Sequence, residues 1–376
     1  MILLLHNRYR HPGGEERAVD DLRWLIREHL GEDAEVLERD SDAIGRAGAA
    51  AGLLRGGLAP DDVARAVRRT GARVVHAHNV NPSLGWRALA AARSAGAAVV
   101  LHLHNYRLVC AVGTCFTLGA DCVRCHGRDT RPGVRLNCRG GSVAESAAYG
   151  AGLALWQRRL AAQVDAFVVP SAFALRRLRA LGAPVDERAS VVASVQRELA
   201  PASRAGAGEF ALAAGRLTAE KGFADAVAGC ERAGLPLVVA GDGPELPALK
   251  AAAAGADVRF TGRIAPPELA ALRARAALAV VPSRYAEILP LAALEALAAG
   301  LPLVAADAGG LGELVPPAWR YPPGDTAALA ERARALYGDQ AAGEHALAAA
   351  RALTAPAAVA ARLRSVYAAA EAAART

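Results

Sequence analysis

The chain has 376 residues, 53% of them hydrophobic and 22% charged, which excludes a disordered protein; the length exceeds one ordinary core, so two domains are expected. Its net charge of +7 lies wholly in the first half: residues 1–190 hold 26 Arg and Lys against 19 Asp and Glu, and residues 191–376 hold 18 against 18. That asymmetry suits an anionic acceptor or peripheral contact with an acidic membrane surface, whereas 5% aromatics and no basic run interleaved with them argue against nucleic acid.

Met1–Leu5 is too short an apolar run for a signal peptide and reads as a first buried strand. No stretch of about 18 apolar residues without charge suggests a membrane span, so a cytoplasmic protein is expected. Short apolar runs then alternate with helical patterns, the signature of βαβ units on parallel sheets. Strands are expected at 2–5, 34–38, 73–77, 98–103, 165–169 and 189–193, with helices near 15–30, 60–70, 83–95, 143–162 and 171–181. Residues 194–208, rich in Ala, Gly, Ser and Pro, read as a linker between an N-terminal domain (1–193) and a C-terminal one (209–354). In the latter, strands are expected near 209–214, 235–240, 257–261, 278–282 and 302–306, with helices near 219–233, 244–254, 266–276 and 290–299. The tail, 325–375, is helical throughout, and its last helix (355–376) is expected to cross back to the first domain.

Three turns in the second half carry chemistry. Gly215-Arg216-Leu217-Thr218-Ala219-Glu220-Lys221-Gly222 follows a strand, where a helix N-terminus and free backbone amides favour an anion; Arg216 and Lys221 could both reach a diphosphate. Only two of the 44 basic residues are Lys, so the compact ammonium of Lys221 stands out as a phosphate ligand. Gly241-Asp242-Gly243-Pro244 offers small residues that let a ligand approach the backbone. Glu287 lies in a loop after a strand, Pro290 suits the first turn of the next helix, and Glu295 sits in that helix among Leu291, Leu294 and Leu297. A carboxylate in apolar surroundings needs partners, and ribose hydroxyls could supply them.

One segment breaks the alternation. Residues 105–141 hold five of the six cysteines with no clear strand or helix, and five arginines between 124 and 139 against one Asp make it cationic. Crowding of this kind in a cytosolic chain favours metal over disulfides, so a structural zinc is one expectation; free thiols or a redox-labile disulfide are the others. Upstream, Pro12-Gly13-Gly14-Glu15-Glu16 reads as a strand-to-helix turn, and His102 and His104 alternate onto one side of a strand end.

Taken together, Gly-Arg-Leu-x3-Lys-Gly at 215–222, Gly-Asp-Gly-Pro at 241–244, Phe-Thr-Gly-Arg at 260–263, Glu-x7-Glu at 287–295, and Gly309-Gly310 with Glu313 resemble glycosyltransferase family 4, the retaining enzymes of the GT-B fold. The resemblance implies an α/β protein of GT-B architecture, two Rossmann-like domains facing across a cleft. It implies that Arg216 and Lys221 hold the diphosphate of a nucleotide sugar, of UDP or GDP type, that Glu295 binds the ribose, that Glu287 contacts the sugar, and that backbone near Ile264 meets the base. Gly13, Gly14, Gly243, Arg263, Leu289, Pro290 and Leu291 complete the implied donor-binding set, and His104, at a strand-ending His-Asn-Tyr, joins Glu287, Arg216 and Lys221 as a catalytic candidate. Ile288 and Pro290 stand where the family often carries a Gly. Some members have cysteines matching Cys110, Cys122, Cys125 and Cys138, which makes these the zinc candidates and Cys115 the spare. No catalytic metal is implied, because cationic side chains and a helix N-terminus neutralise the departing phosphate.

The reading is therefore a retaining hexosyltransferase whose acceptor is a polysaccharide, a lipid-linked carrier or a natural-product glycoside. A GT-B module that binds nucleotide without transfer is the alternative; a Rossmann dehydrogenase is disfavoured because no Gly-x-Gly-x2-Gly follows the first strand.

Overall fold

The computed structural model describes residues 1–9, 13–139 and 142–375. The chain forms two compact units, one built from Met1–Thr117, Cys122–Val195 and the segment from Pro356 onward, the other from Leu118–Asp121 and Gln196–Ala355.

The first unit holds a parallel sheet of β1 (Ile2–Arg8), β2 (Ala34–Asp40), β3 (Val74–Ala77), β4 (Ala98–His102), β5 (Ala166–Val169) and β6 (Ala189–Val191), in the order β2-β1-β3-β4-β5-β6. Its inner strands read as unbroken apolar runs because both faces are covered; Ile2 to Leu5 are all buried. The helices are α1 (Gly14–Leu25, continued by a π-helical turn to Leu30), α2 (Gly45–Arg55), α3 (Pro60–Thr70), α4 (Gly85–Ser94), the short α5 (Arg131–Arg135), α6 (Val143–Ala161) and α7 (Ala172–Ala180). In α3, Pro60 opens the first turn, Asp61 and Asp62 face the positive end of the helix dipole, Arg68 and Arg69 face the negative end, and Val63, Ala64 and Val67 form the buried stripe.

The second unit carries β7 (Phe210–Ala214), β8 (Leu237–Ala240), β9 (Val258–Gly262), β10 (Ala276–Val281), β11 (Leu303–Ala306) and β12 (Arg320–Tyr321), again parallel, in the order β9-β8-β7-β10-β11-β12. Counted from its own first strand this is 3-2-1-4-5-6, the doubly wound order. Its helices are α8 (Phe223–Ala233), α9 (Leu246–Ala252), α10 (Pro266–Arg275), α11 (Leu291–Ala298), α12 (Thr326–Leu336) and α13 (Gln340–Thr354). α12 lies close on α8 because Gly229 has no side chain; a Cβ there would come within 2.4 Å of Leu329.

Two features depart from the sequence reading, and the tail follows it. α2 is so rich in Ala and Gly that no apolar stripe marks it. The stretch 194–208 is no free linker: from Gln196 it belongs to the second unit, where Ser203 is buried, takes a bond from Gln340 to its carbonyl and donates its hydroxyl to the Gly300 carbonyl at 2.6 Å. The Ala-rich tail is apolar enough by composition for a long span, yet it breaks at Ala355, after which α14 (Pro356–Ala374) buries Val359, Leu363, Val366 and Tyr367 in the core of the first unit.

Candidate functional site

In the second unit β7 and β10 are neighbours, but the chain winds away from them in opposite directions, so the loops at their carboxyl ends diverge and leave a crevice. Lys221 ends a 3-10 turn after β7, and Glu287 stands in the loop after β10. The structure joins them: Lys221 Nζ donates to Glu287 Oε1 at 2.6 Å and lies 5.3 Å from the centroid of the Tyr285 ring. Glu287 is 4% exposed and accepts two further bonds, from Ser283 Oγ and the Tyr285 hydroxyl, each at 2.6 Å. Three donors satisfy a carboxylate that burial alone would disfavour.

Two glycines hold these loops together. Gly222, at φ +67°, packs so closely on the loop after β10 that a Cβ would stand 2.1 Å from the Pro282 carbonyl oxygen. Gly309, also at φ +67°, would place a Cβ 2.3 Å from the Glu287 carbonyl, to which Gly310 N–H donates at 2.8 Å. Arg284 anchors the same loop through a two-pronged contact to buried Asp225, whose hydrogen bond, with its charge, raises the guanidinium pKa.

The remaining donor-side candidates are placed unequally. Arg216 is exposed and lies 3.9 Å from Glu220, apart from the Lys221–Glu287 pair. Gly243 packs its backbone against Leu217, and Arg263 is exposed. Ile264, Leu289 and Leu291 are half-buried against the core, and Pro290 is the residue that caps α11 rather than its first helical residue. Glu295 is buried, but the partner expected from ribose is supplied by the protein: Arg273 of α10, itself buried, donates to its carboxylate.

In the first unit the equivalent switch lies between β1 and β3. Gly13 and Gly14 are exposed at the start of α1; Pro12 of that turn lies outside the described residues. Gly13 N–H and Tyr9 N–H donate to Glu16 at 2.7 and 3.0 Å; burial raises the Glu16 pKa, but bonds from His6 and these amides outweigh it and hold the carboxyl at about 2. The Tyr9 hydroxyl donates to Glu15 at 2.7 Å and accepts from Arg107 at 3.0 Å.

His104 ends a histidine ladder that the sequence reading missed. Its ring stacks on His102 with centroids 3.9 Å apart, and its Nε2 lies 2.8 Å from His78 Nδ1. His76, stacked on His78, pairs its Nδ1 with the Tyr367 hydroxyl at 2.9 Å, and His6 meets His78 edge-on. Burial drives all of His76, His78, His102 and His104 toward the neutral form, His76 to about 3. Ring nitrogens of His76, His78 and His102 come within 4.8 Å of one another, the one such group among the described residues; near-parallel rings send their lone pairs side by side rather than to one point, which is packing more than chelation.

Cys110, Cys115, Cys122, Cys125 and Cys138 line one small cavity, and none forms a disulfide. Within it Cys115 shares a hydrogen bond with Cys110, which lowers the Cys110 thiol to about 6 and raises its own.

Two parallel α/β units, each with polar residues gathered at a switch point, define the GT-B architecture. The domain families agree: residues 20–194 match the glycosyl transferase 4-like domain and residues 208–339 match the domain described as glycosyl transferases group 1, so the chain carries both kinds of glycosyltransferase domain. A stretch of 149 residues is 42% identical to the glycogen synthase of Mycobacterium tuberculosis, covering 36% of this chain and 36% of that protein. The fold is shared with the sucrose-phosphate synthase of Thermosynechococcus elongatus (TM-score 0.66, 18% identity, 98% of each chain) and with Anabaena HepE, solved in complex with UDP and glucose (TM-score 0.62, 17% identity, 97% of this chain and 98% of that one).

Proposed function

We propose that the protein is a retaining glycosyltransferase that moves a sugar from a UDP- or GDP-type donor, held by the second unit, to an acceptor held by the first. The observation that carries this reading is the buried Glu287 held by Lys221, Ser283 and Tyr285 at the switch point. When a nucleotide diphosphate enters, Lys221 supplies a compact positive charge for its phosphates, and Glu287 is positioned to accept hydroxyls of the sugar. In same-face transfer the bond from the anomeric carbon to the phosphate oxygen breaks, the acceptor oxygen bonds to that carbon, and the acceptor proton passes to the leaving diphosphate. The chain contributes positioning and charge. HepE, crystallised with UDP and glucose, supports a donor of this kind.

A structural zinc on Cys110, Cys122, Cys125 and Cys138 belongs to the same reading. Four thiolates suit zinc, which would tie the two ends of the segment to one point.

The test is a thermal-shift panel of UDP-, GDP-, dTDP- and ADP-sugars, followed by donor hydrolysis without acceptor. A rise in Tm with one base and slow release of its diphosphate are expected. No shift with any nucleotide would overturn the donor assignment.

A further inference from the structure

A cavity of the first unit, about 840 Å3 counting the open solvent at its mouth, has two unlike walls. One is made by helices α2, α4 and α6 and is apolar: Leu53, Trp86, Leu153, Trp156 and Leu160 line it. Trp86 and Trp156 stand 5.8 Å apart, and the Arg159 guanidinium lies over both rings. The other wall is the carboxyl end of β3 and β4 with the start of α1, where Glu15, His104, Asn105 and Arg107 line the same space.

Behind that polar wall lies hydrogen-bonding capacity with nothing to meet it. His78 Nε2 and both ring nitrogens of His102 are without partners, although each of these two residues is more than nine-tenths buried and lines the cavity; across the cavity, the Nε1 atom of half-buried Trp86 is also unpartnered. Buried polar atoms are seldom left so, since each costs free energy until a partner arrives. Leu54 of α2 and Leu155 of α6, on the helices that make the apolar wall, are about half exposed.

From this we infer that the acceptor is amphipathic. Its hydroxyl-bearing head meets the wall of His104, Glu15 and Arg107, and a hydrocarbon chain lies along Leu53, Trp86, Leu153 and Trp156. A mostly apolar pocket with a few convergent polar groups matches a ligand of mixed character, and the aliphatic residues Leu53, Leu153 and Leu160 beside the two tryptophans suit a hydrocarbon chain. This rests on the transfer reading above, because it names the acceptor of that reaction.

The test uses n-octyl β-glucoside below its micelle concentration and methyl β-glucoside as probes. Binding is read by tryptophan fluorescence in a Trp24→Phe/Trp319→Phe background, so that Trp86 and Trp156 carry the signal. Each buried methylene adds roughly fourfold to affinity, so the octyl glycoside is expected to bind at least tenfold tighter than the methyl one. Leu153→Asp, which makes the wall polar, and Leu153→Phe, which fills the space and keeps the fold apolar, should each remove that preference. Equal binding of the two glycosides, or a preference that survives both substitutions, overturns the inference. UDP affinity is measured by calorimetry on the same samples. Loss of UDP binding with the octyl preference intact counts against the donor reading alone, and UDP binding with no preference counts against this inference alone.

Discussion

Lys221 and Glu287 come from loops 66 residues apart and meet at 2.6 Å, on a carboxylate that two hydroxyls already hold in place. The pair is thus prepared before any ligand arrives. Lys221→Ala should slow transfer by roughly 10²–10³-fold, the usual cost of removing one preorganised charge, with a small change in Tm. Glu287→Ala should also destabilise by about 1–3 kcal/mol, because three donors lose their acceptor. Steady-state kinetics with thermal unfolding separates the two; an unimpaired Lys221→Ala enzyme would remove the lysine from the site.

Glu295 and Arg273 form a buried pair, so each single replacement leaves a charge without its partner. Glu295→Ala or Arg273→Ala should lower stability by about 3–5 kcal/mol in denaturant titrations, while Arg273→Met combined with Glu295→Leu should recover most of it. If Glu295 also binds ribose, the double variant regains stability and still fails to bind UDP. Full UDP affinity in a stable double variant would leave Glu295 a structural role only.

Legibility in the sequence follows the range of the interactions. The strands of both sheets, except the two-residue β12, were readable from local apolar runs, and Lys221 and Glu287 from turn chemistry close to strand ends. Arg273 was not, because only folding brings it to Glu295; Ser283 and Tyr285 lie four and two residues from Glu287, but their residue types alone do not say that they turn back onto it. The ladder of His6, His76, His78, His102 and His104 spans three strands and two loops, and only the sheet order puts these rings in one stack. Arg216 shows the converse, a motif residue that the fold leaves exposed beside Glu220.

The histidine ladder sets an acid limit. His76, His78, His102 and His104 are neutral in the folded protein, with folded pKa values below the unfolded value of about 6.5. Unfolding therefore takes up protons as pH falls below 6.5, and stability falls with it, by at most about 1.4 kcal/mol per pH unit for a ring that stays neutral in the folded protein. Glu16, held at about 2, adds a stabilisation of its own, present in full above about 4.5 and lost as pH falls through 2. Urea titrations at pH 7.5, 6.5 and 5.5 should show a steep decline, and His76→Gln should flatten it. A pH-independent midpoint over that range would contradict the neutral ladder.

The cysteine cavity makes a compositional prediction. Elemental analysis of the purified protein should give one zinc per chain, and Cys125→Ser should lose it with a lower Tm. Five freely titrating thiols with no metal would leave the segment held by packing alone.

The return of α14 to the first unit makes that unit's completion a late event in synthesis. Tyr367, which closes His76 from above, is translated nearly three hundred residues after it, and Val359, Leu363 and Val366 arrive with it. Until then the nascent sheet has a bare apolar face, while the second unit, whose main segment is continuous from Gln196 to Ala355, can already close. The half that is made first is therefore finished last, and ribosome-bound chains stalled before Pro356 should need chaperone shielding of that half, while the later-made half already resists protease.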